Sequence, residues 1–277
     1  MVLMANSSFN MQVRRDRAIL AVEGPEAENF LHNLVTADVM GMAVGDARYA
    51  ALLTPQGKIL FDFFAVRTAE GYLLDCAASQ RDELAKRLTF YKMRAKVTIA
   101  ARSDLEVGAA PDKPVHGISY PDPRLPDMGW RIICAAGKLP AGAGYDAARI
   151  GLGLADSDGD IGSANLFPHE ANFDQFGGIS FTKGCYVGQE VVSRMEHRST
   201  ARSRILPVKF EGAAPPRGSE IRSGDKTVGA VLSSRNESAL ALIRLDRLEE
   251  SASPLLTQGV ITHVQKPTWA AYEAKEM

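Results

Sequence analysis

Apolar side chains recur along the first third of the chain at two different spacings. AILAVEG (18–24) reads as a strand. In GPEAENFLHNLVTADV (24–39), Pro25 stands at a first-turn position, and Phe30, Leu31 and Leu34 fall on one helical face, which predicts a short amphipathic helix. RYAALLTPQGKILFDFFAVRTAEGYLLDCAAS (48–79) predicts an antiparallel meander of three strands, with turns at Thr54-Pro55-Gln56-Gly57 and Ala69-Glu70-Gly71. SQRDELAKRLTFYKMRAK (79–96) predicts a second helix, with Ser79 and Asp82 as a capping box and Leu84, Leu88 and Tyr91 on one face. Its last turns are basic (Lys86, Arg87, Lys92, Arg94, Lys96), a pattern that suits a helix C-terminus and is usually a solvated face, an anionic ligand being the alternative.

Residues 104–127, rich in Pro, Asp and Gly, read as a loop; GWRIICA (129–135) follows as a strand and YDAARIGLGLAD (145–156) as a helix. Farther on, alternation in GISF (178–181) suggests a strand end, and VGQEVVSRMEH (187–197) a helix. From Ala201 the texture changes. RILPVKF, GSEIRSGDKTVGAVLSS, SALALIRL and GVITHVQK are short strands between turns, so the reading divides the chain into an α+β region, 1–200, and an all-β module, 201–277.

With 277 residues and a net charge of -1, the chain has length for two domains and no global field that would draw it to nucleic acid or a membrane. Its apolar runs fall short of a membrane span. MVLMANSSFNMQVRRDR carries Arg14, Arg15 and Arg17 with no acid before Asp16, a trait of transit peptides, but the strand that begins at Ala18 argues against that reading. Cys76, Cys134 and Cys185 are dispersed and odd in number, which excludes a disulfide framework, points to a reducing compartment and cannot by itself make a four-thiolate cluster site.

Several motifs reduce to local structure. GAGYDA (142–147) fits a dinucleotide fingerprint but lacks the strand directly before it, so a helix-entry turn is expected. DSDGDIG (156–162) begins like a calcium loop but has Ile161 and Phe167 where glycine and glutamate belong. The histidines fall at no metal-ligand spacing. Asp62, in GKILFDFF, either points outward by strand alternation or is buried at a cost of several kcal/mol unless partnered.

Lys183-Gly184-Cys185-Tyr186-Val187-Gly188-Gln189-Glu190 concentrates a cation, a thiol, a phenol, an amide and a carboxylate. Placed at or just before a helix N-terminus and two residues from Lys183, Cys185 is expected to be more ionised than a free cysteine of pKa ~8.5, and the most reactive of the three. Read as packing alone, the glycines serve tight geometry and Glu190 pairs with Arg194, which leaves Tyr186 and Gln189 poorly explained.

FPHEANFDQFGGISFTKGCYVGQEVVSRMEHR (167–198) closely resembles the signature of the YgfZ-type folate-binding proteins, relatives of the glycine-cleavage T-protein (aminomethyltransferase), which include a mitochondrial iron–sulfur assembly factor. FLHNLVTADV, LLTPQGKILFDFFAVR, FYKMRAKV and VGAVLSS followed by ALALIRLD extend the likeness over most of the chain. The resemblance implies an α+β fold: antiparallel sheets with helices around a central channel that binds tetrahydrofolate, plus a small C-terminal β-barrel. It implies a role in assembling, maintaining or repairing iron–sulfur proteins, including cluster-dependent tRNA-modifying enzymes, in the bacterial cytosol, or in the mitochondrial matrix of a eukaryote. Partners would be folate and iron–sulfur client or assembly proteins.

Within it, Cys185 and Lys183 would be catalytic, and Tyr186, Gln189, Glu190, Asn172, Asp62 and Arg94 would bind the cofactor. Arg198-Ser199 departs from the family's usual arginine-glycine. A folate-dependent aminomethyltransferase or other one-carbon transferase is the alternative, weakened because Phe61-Asp62 replaces the T-protein's two consecutive aspartates. Arg194, Arg198, Arg202, Arg204 and Lys209, with Glu196 among them, read as a solvated interdomain surface rather than an RNA site.

Overall fold

A computed structural model describes residues 9–197 and 201–277. The head of the segment likened to a transit peptide, and the Arg198-Ser199 departure with its cation, lie outside the described residues. A two-residue strand, β1 (Gln12–Val13), precedes β2 (Arg17–Glu23). α1 (Ala27–His32) is shorter than the periodic segment predicts: it buries Phe30 and Leu31, whereas Leu34 and Val35 are buried from the loop beyond it. β3 (Ala47–Leu53), β4 (Ile59–Arg67) and β5 (Gly71–Ala77) form the expected meander. α2 (Arg81–Lys92) starts without the expected capping box, because Ser79 Oγ donates instead to the Asp158 carboxylate at 2.7 and 2.8 Å. β6 (Thr98–Ala101) then pairs with β2, completing a five-stranded antiparallel sheet in the order β3-β4-β5-β2-β6.

The stretch read as a loop holds two strands. β7 (Leu105–Ala110) and β8 (Ile118–Pro121) flank β9 (Trp130–Ala135) in a second sheet, ordered β1-β7-β9-β8. Pro111, Pro114 and Pro121 fall in the connection or at a strand end, where no ladder N–H is required, so composition masks the pairing. α3 (Tyr145–Gly151) is entered through Gly144, at φ 96°, so GAGYDA is a helix entry. One π-type turn over Ser157–Ile161 and a run of turns lead to α4 (Gln189–His197). GISF is not a strand; Ser180 N donates to Thr36 O at 2.9 Å, but no ladder forms around that bond.

The remaining strands are β10 (Ser203–Phe210), β11 (Glu220–Ser223), β12 (Lys226–Arg235) and β13 (Ser238–Arg244). A short α5 (Leu245–Glu249), not anticipated, then leads to β14 (Leu255–Thr257) and β15 (Val260–Val264). The six close into a barrel in the order β10-β13-β12-β11-β14-β15. One apolar core joins both sheets to the barrel through Ile19, Phe64, Val107, Phe173 and Leu240, a second lies beneath α1 and α2, and a third fills the barrel. The architecture is the α+β arrangement that the resemblance implies.

Candidate functional site

Cys185 lies in the loop ahead of α4 and is exposed, whereas Cys76 is buried and Cys134 half-buried. Burial pushes the Cys76 thiol up to about 12, and burial followed by the charge of Glu106 raises that of Cys134. These two are poor nucleophiles and ligands, since the thiolate is the reactive form. Tyr186, Val187 and Gly188 separate Cys185 from Gln189, the first residue of α4, so the sulfur stands before the helix rather than on its first turn. Around Gly184 there is open space, with no heavy atom within 4 Å of where a Cβ would sit.

Lys183 is 9% exposed, and its Nζ donates to three backbone carbonyls: His32 O, at the end of α1, Val35 O at 2.7 Å and Ala37 O at 2.9 Å. An ammonium has three protons, and all are committed here. Burial pulls its pKa down to about 8, against the opposing charge of Asp38. The residue expected to activate Cys185 therefore pins the loop to α1. A second anchor is the contact between the 54–57 turn and the entry to α4. Gly57 and Gly188 both have positive φ, 80° and 81°, and a Cβ on Gly188 would stand 2.7 Å from Thr54 O. Only glycine at both positions lets the two backbones meet this closely. Tyr186 is buried, its ring 5.1 Å from Lys183 Nζ, and burial lifts its phenol to about 12.

The other group sought from sequence, Asp62, points inward. It is 4% exposed on the face of β4 shared with Phe64, its Oδ2 accepts from Ser157 Oγ at 2.9 Å and Tyr49 OH at 3.3 Å, and its Oδ1 has no partner. Burial raises its pKa against the opposing charge of Arg17. Around it lies a network that the sequence reading missed. Asp75, fully buried, receives Arg17 Nε at 2.7 Å, Arg131 Nε at 2.8 Å and Tyr120 OH at 3.1 Å. Arg124 grips Asp122 with two bonds of 3.0 and 2.8 Å. Burial alone would raise Asp75 and Asp122, but the guanidiniums beside them outweigh it and hold both low. Asp75 and Arg131 each interrupt an apolar strand, the same signal that singled out Asp62, whereas Arg17 stands at the start of β2.

The remaining candidates do not converge on Asp62. Asn172 ties the region before α4 to the barrel and tail, donating to Ile205 O at 2.8 Å and accepting from Tyr272 OH at 3.0 Å. Glu190 is exposed and paired with Arg194 at 2.6 Å; Gln189, half-buried, opens α4; and Arg94 is exposed just past α2. Arg204, read as part of a surface patch, is buried and donates to His169 O and Asp174. A cavity of about 380 Å³ opens over Tyr49, Tyr120 and Phe176, adjoining the buried network through the two phenols. Among the described residues no group of three or more His, Cys, Asp or Glu side chains could hold a metal ion, and no helix is long and apolar enough to cross a membrane.

Comparison with known proteins matches residues 17–107 to the GCVT N-terminal domain and residues 202–272 to the CAF17 C-terminal beta-barrel domain. The human mitochondrial iron-sulfur cluster assembly factor IBA57 is 30% identical over 295 aligned positions, covering 91% of this chain and 83% of that protein. The mouse protein is 30% identical over 84% of this chain and 77% of its own length. Among solved structures, the glycine cleavage system aminomethyltransferase T from Bartonella henselae superposes with a TM-score of 0.74 at 15% identity, over 95% of this chain and 86% of that one, a likeness of fold.

Proposed function

The chain belongs to the family of the iron–sulfur cluster assembly factor IBA57, and from that premise we propose that it is an accessory factor for iron–sulfur proteins that works through Cys185. Clients include cluster-dependent tRNA-modifying enzymes. The observation that carries the reading is an exposed thiol on a loop fixed at both ends, by Lys183 and by the Gly57–Gly188 contact. One thiolate can supply one ligand to a cluster iron or make one transient sulfur contact. The rest of a cluster's ligands come from the client or a second assembly protein, since the described residues offer no further set. The compartment is a reducing one, bacterial cytosol or mitochondrial matrix. In a strain lacking its own family member, wild type restores the activities of several cluster enzymes and Cys185→Ser does not; full rescue by Cys185→Ser would remove the proposal.

Binding of tetrahydrofolate, which goes with YgfZ-type proteins, is supported by one observation, the orphaned Oδ1 of buried Asp62, a carboxyl bonded through its other oxygen to Tyr49 in the lining of an aromatic-floored cavity. Of the residues named for the cofactor, only Asp62 is retained, and Tyr49, Tyr120 and Phe176 would form the apolar floor. A bound folate would supply one-carbon acceptance. Asp62 would orient a ring nitrogen by hydrogen bonding to it, which is positioning rather than transfer. Titration with tetrahydrofolate, followed by tryptophan fluorescence, is expected to show saturation that Asp62→Asn weakens; the absence of saturation would dismiss folate and leave the Cys185 reading standing. Turnover of an aminomethyl donor with tetrahydrofolate would instead favour a transferase.

A further inference from the structure

The basic end of α2 is not explained by anything above. Arg81, Lys86, Arg87, Lys92, Arg94 and Lys96 stand against only Asp82 and Glu83, in a chain whose net charge is -1. The two acids are taken by Arg81 at 2.9 Å and Lys86 at 2.6 Å. Arg87, Lys92, Arg94 and Lys96 make no ion pair among the described residues. Beside these cations lie Phe90, 73% exposed, and Met93, 88% exposed, whereas the helix anchors itself through Leu84 and Leu88. Large apolar side chains held in water on a rigid element mark contact surfaces.

Phe90 is one wall of a groove of about 450 Å³ whose floor is Leu60 and Phe61 from β4, and whose rim carries Lys86 and Arg87. The groove and the thiol loop are linked through the 54–57 turn. Gly57 touches Gly188 and Val191 at the entry to α4, and Leu60 lies three residues along the same chain, on the order of 10 Å in an extended strand. Val187 packs on the same apolar layer as Leu60. A protein seated in the groove therefore rests on the strand whose preceding turn meets the entry to α4.

We propose that the groove between α2 and the start of β4 docks an acidic segment of the partner protein, anchored by one large apolar side chain on Leu60 and Phe61. The proposal rests on the reading that Cys185 acts on a partner and names the surface that recruits it. A concave apolar floor suits a leucine or phenylalanine side chain rather than a phosphate or a bilayer, which would meet a convex face, and Glu83 at the rim is paired with Lys86. Four unpaired cations supply the complementary field.

The test is fluorescence anisotropy on the full chain with four labelled probes: a dodecapeptide alternating Glu with Leu and Phe, the same peptide with Lys for Glu, a uridine dodecamer and phosphatidylserine vesicles. The acidic peptide is expected to bind saturably and to lose about tenfold in affinity in Arg87→Glu and in Phe90→Ser. Both side chains are exposed, so neither change removes packing, and unchanged melting by circular dichroism confirms it. Cys185→Ser is expected to bind the peptide as wild type does, which separates failure of the groove from failure of the thiol reading. No saturable binding, binding indifferent to both substitutions, equal binding of the lysine peptide, or preference for the oligonucleotide or vesicles would overturn the proposal.

Discussion

The Cys185 thiol, set among polar groups and glycines, and the Asp62 carboxyl, set in an apolar run, were both singled out by sequence, yet the fold treats them in opposite ways. Asp62 is drawn inside among guanidiniums and phenols, where burial disfavours its charge, its Oδ2 is bonded to Ser157 and Tyr49, and its Oδ1 is without a partner. Cys185 is held out on a loop whose own cation, Lys183, turns inward to satisfy backbone carbonyls. Rigidity is supplied by polar groups that do no chemistry. The single exposed thiol is left for what approaches from outside.

The largest expected effect falls on the interior. Asp75→Asn leaves Arg17 and Arg131 buried with a weakened partner, and should lower unfolding free energy in urea by about 3–5 kcal/mol. An unchanged midpoint would mean the network is not structural. Lys183→Met comes next, at about 2 kcal/mol, because carbonyls of His32, Val35 and Ala37 lose their donor. Hydrogen exchange should quicken around residues 180–188 and the end of α1, and uniform protection there would refute the pin.

A pH titration sharpens the contrast within the interior itself. Asp75 and Asp122 lie below the ordinary 3.8, so their stabilisation is complete above about pH 4 and is lost as pH falls through the folded values. Asp62 lies above 3.8, so its contribution is greatest in acid and is lost as pH rises through its folded value. Asp62→Asn should therefore gain on wild type as pH rises from about 4 through the folded value of Asp62 in urea titrations, and a constant difference would contradict the raised pKa. The smallest effect is Cys185→Ser, expected within about 0.5 kcal/mol of wild type, since the thiol packs against nothing it must keep.

Alternation made the β3–β5 meander and the barrel strands legible, because each strand there is bounded by turn residues and pairs with a near neighbour. β7 and β8 escaped because a sheet is defined by its partners, and proline at a strand's end looks the same as proline in a loop. GISF failed for the converse reason: it alternates, but no strand lies beside it. At the site, the cysteine motif was legible as a cluster of residue types, and its geometry was not. The partners of Lys183 lie about 150 positions away in sequence, and a charged residue in an apolar strand reveals its direction only once the opposing sheet supplies an arginine.

Alkylation mapping tests the central claim most directly. Native protein treated briefly with iodoacetamide and digested should carry the label at Cys185 well before Cys134, and at Cys76 last. Labelling of Cys76 or Cys134 ahead of Cys185 would contradict the account, because position 185 would then not be the thiol the molecule presents.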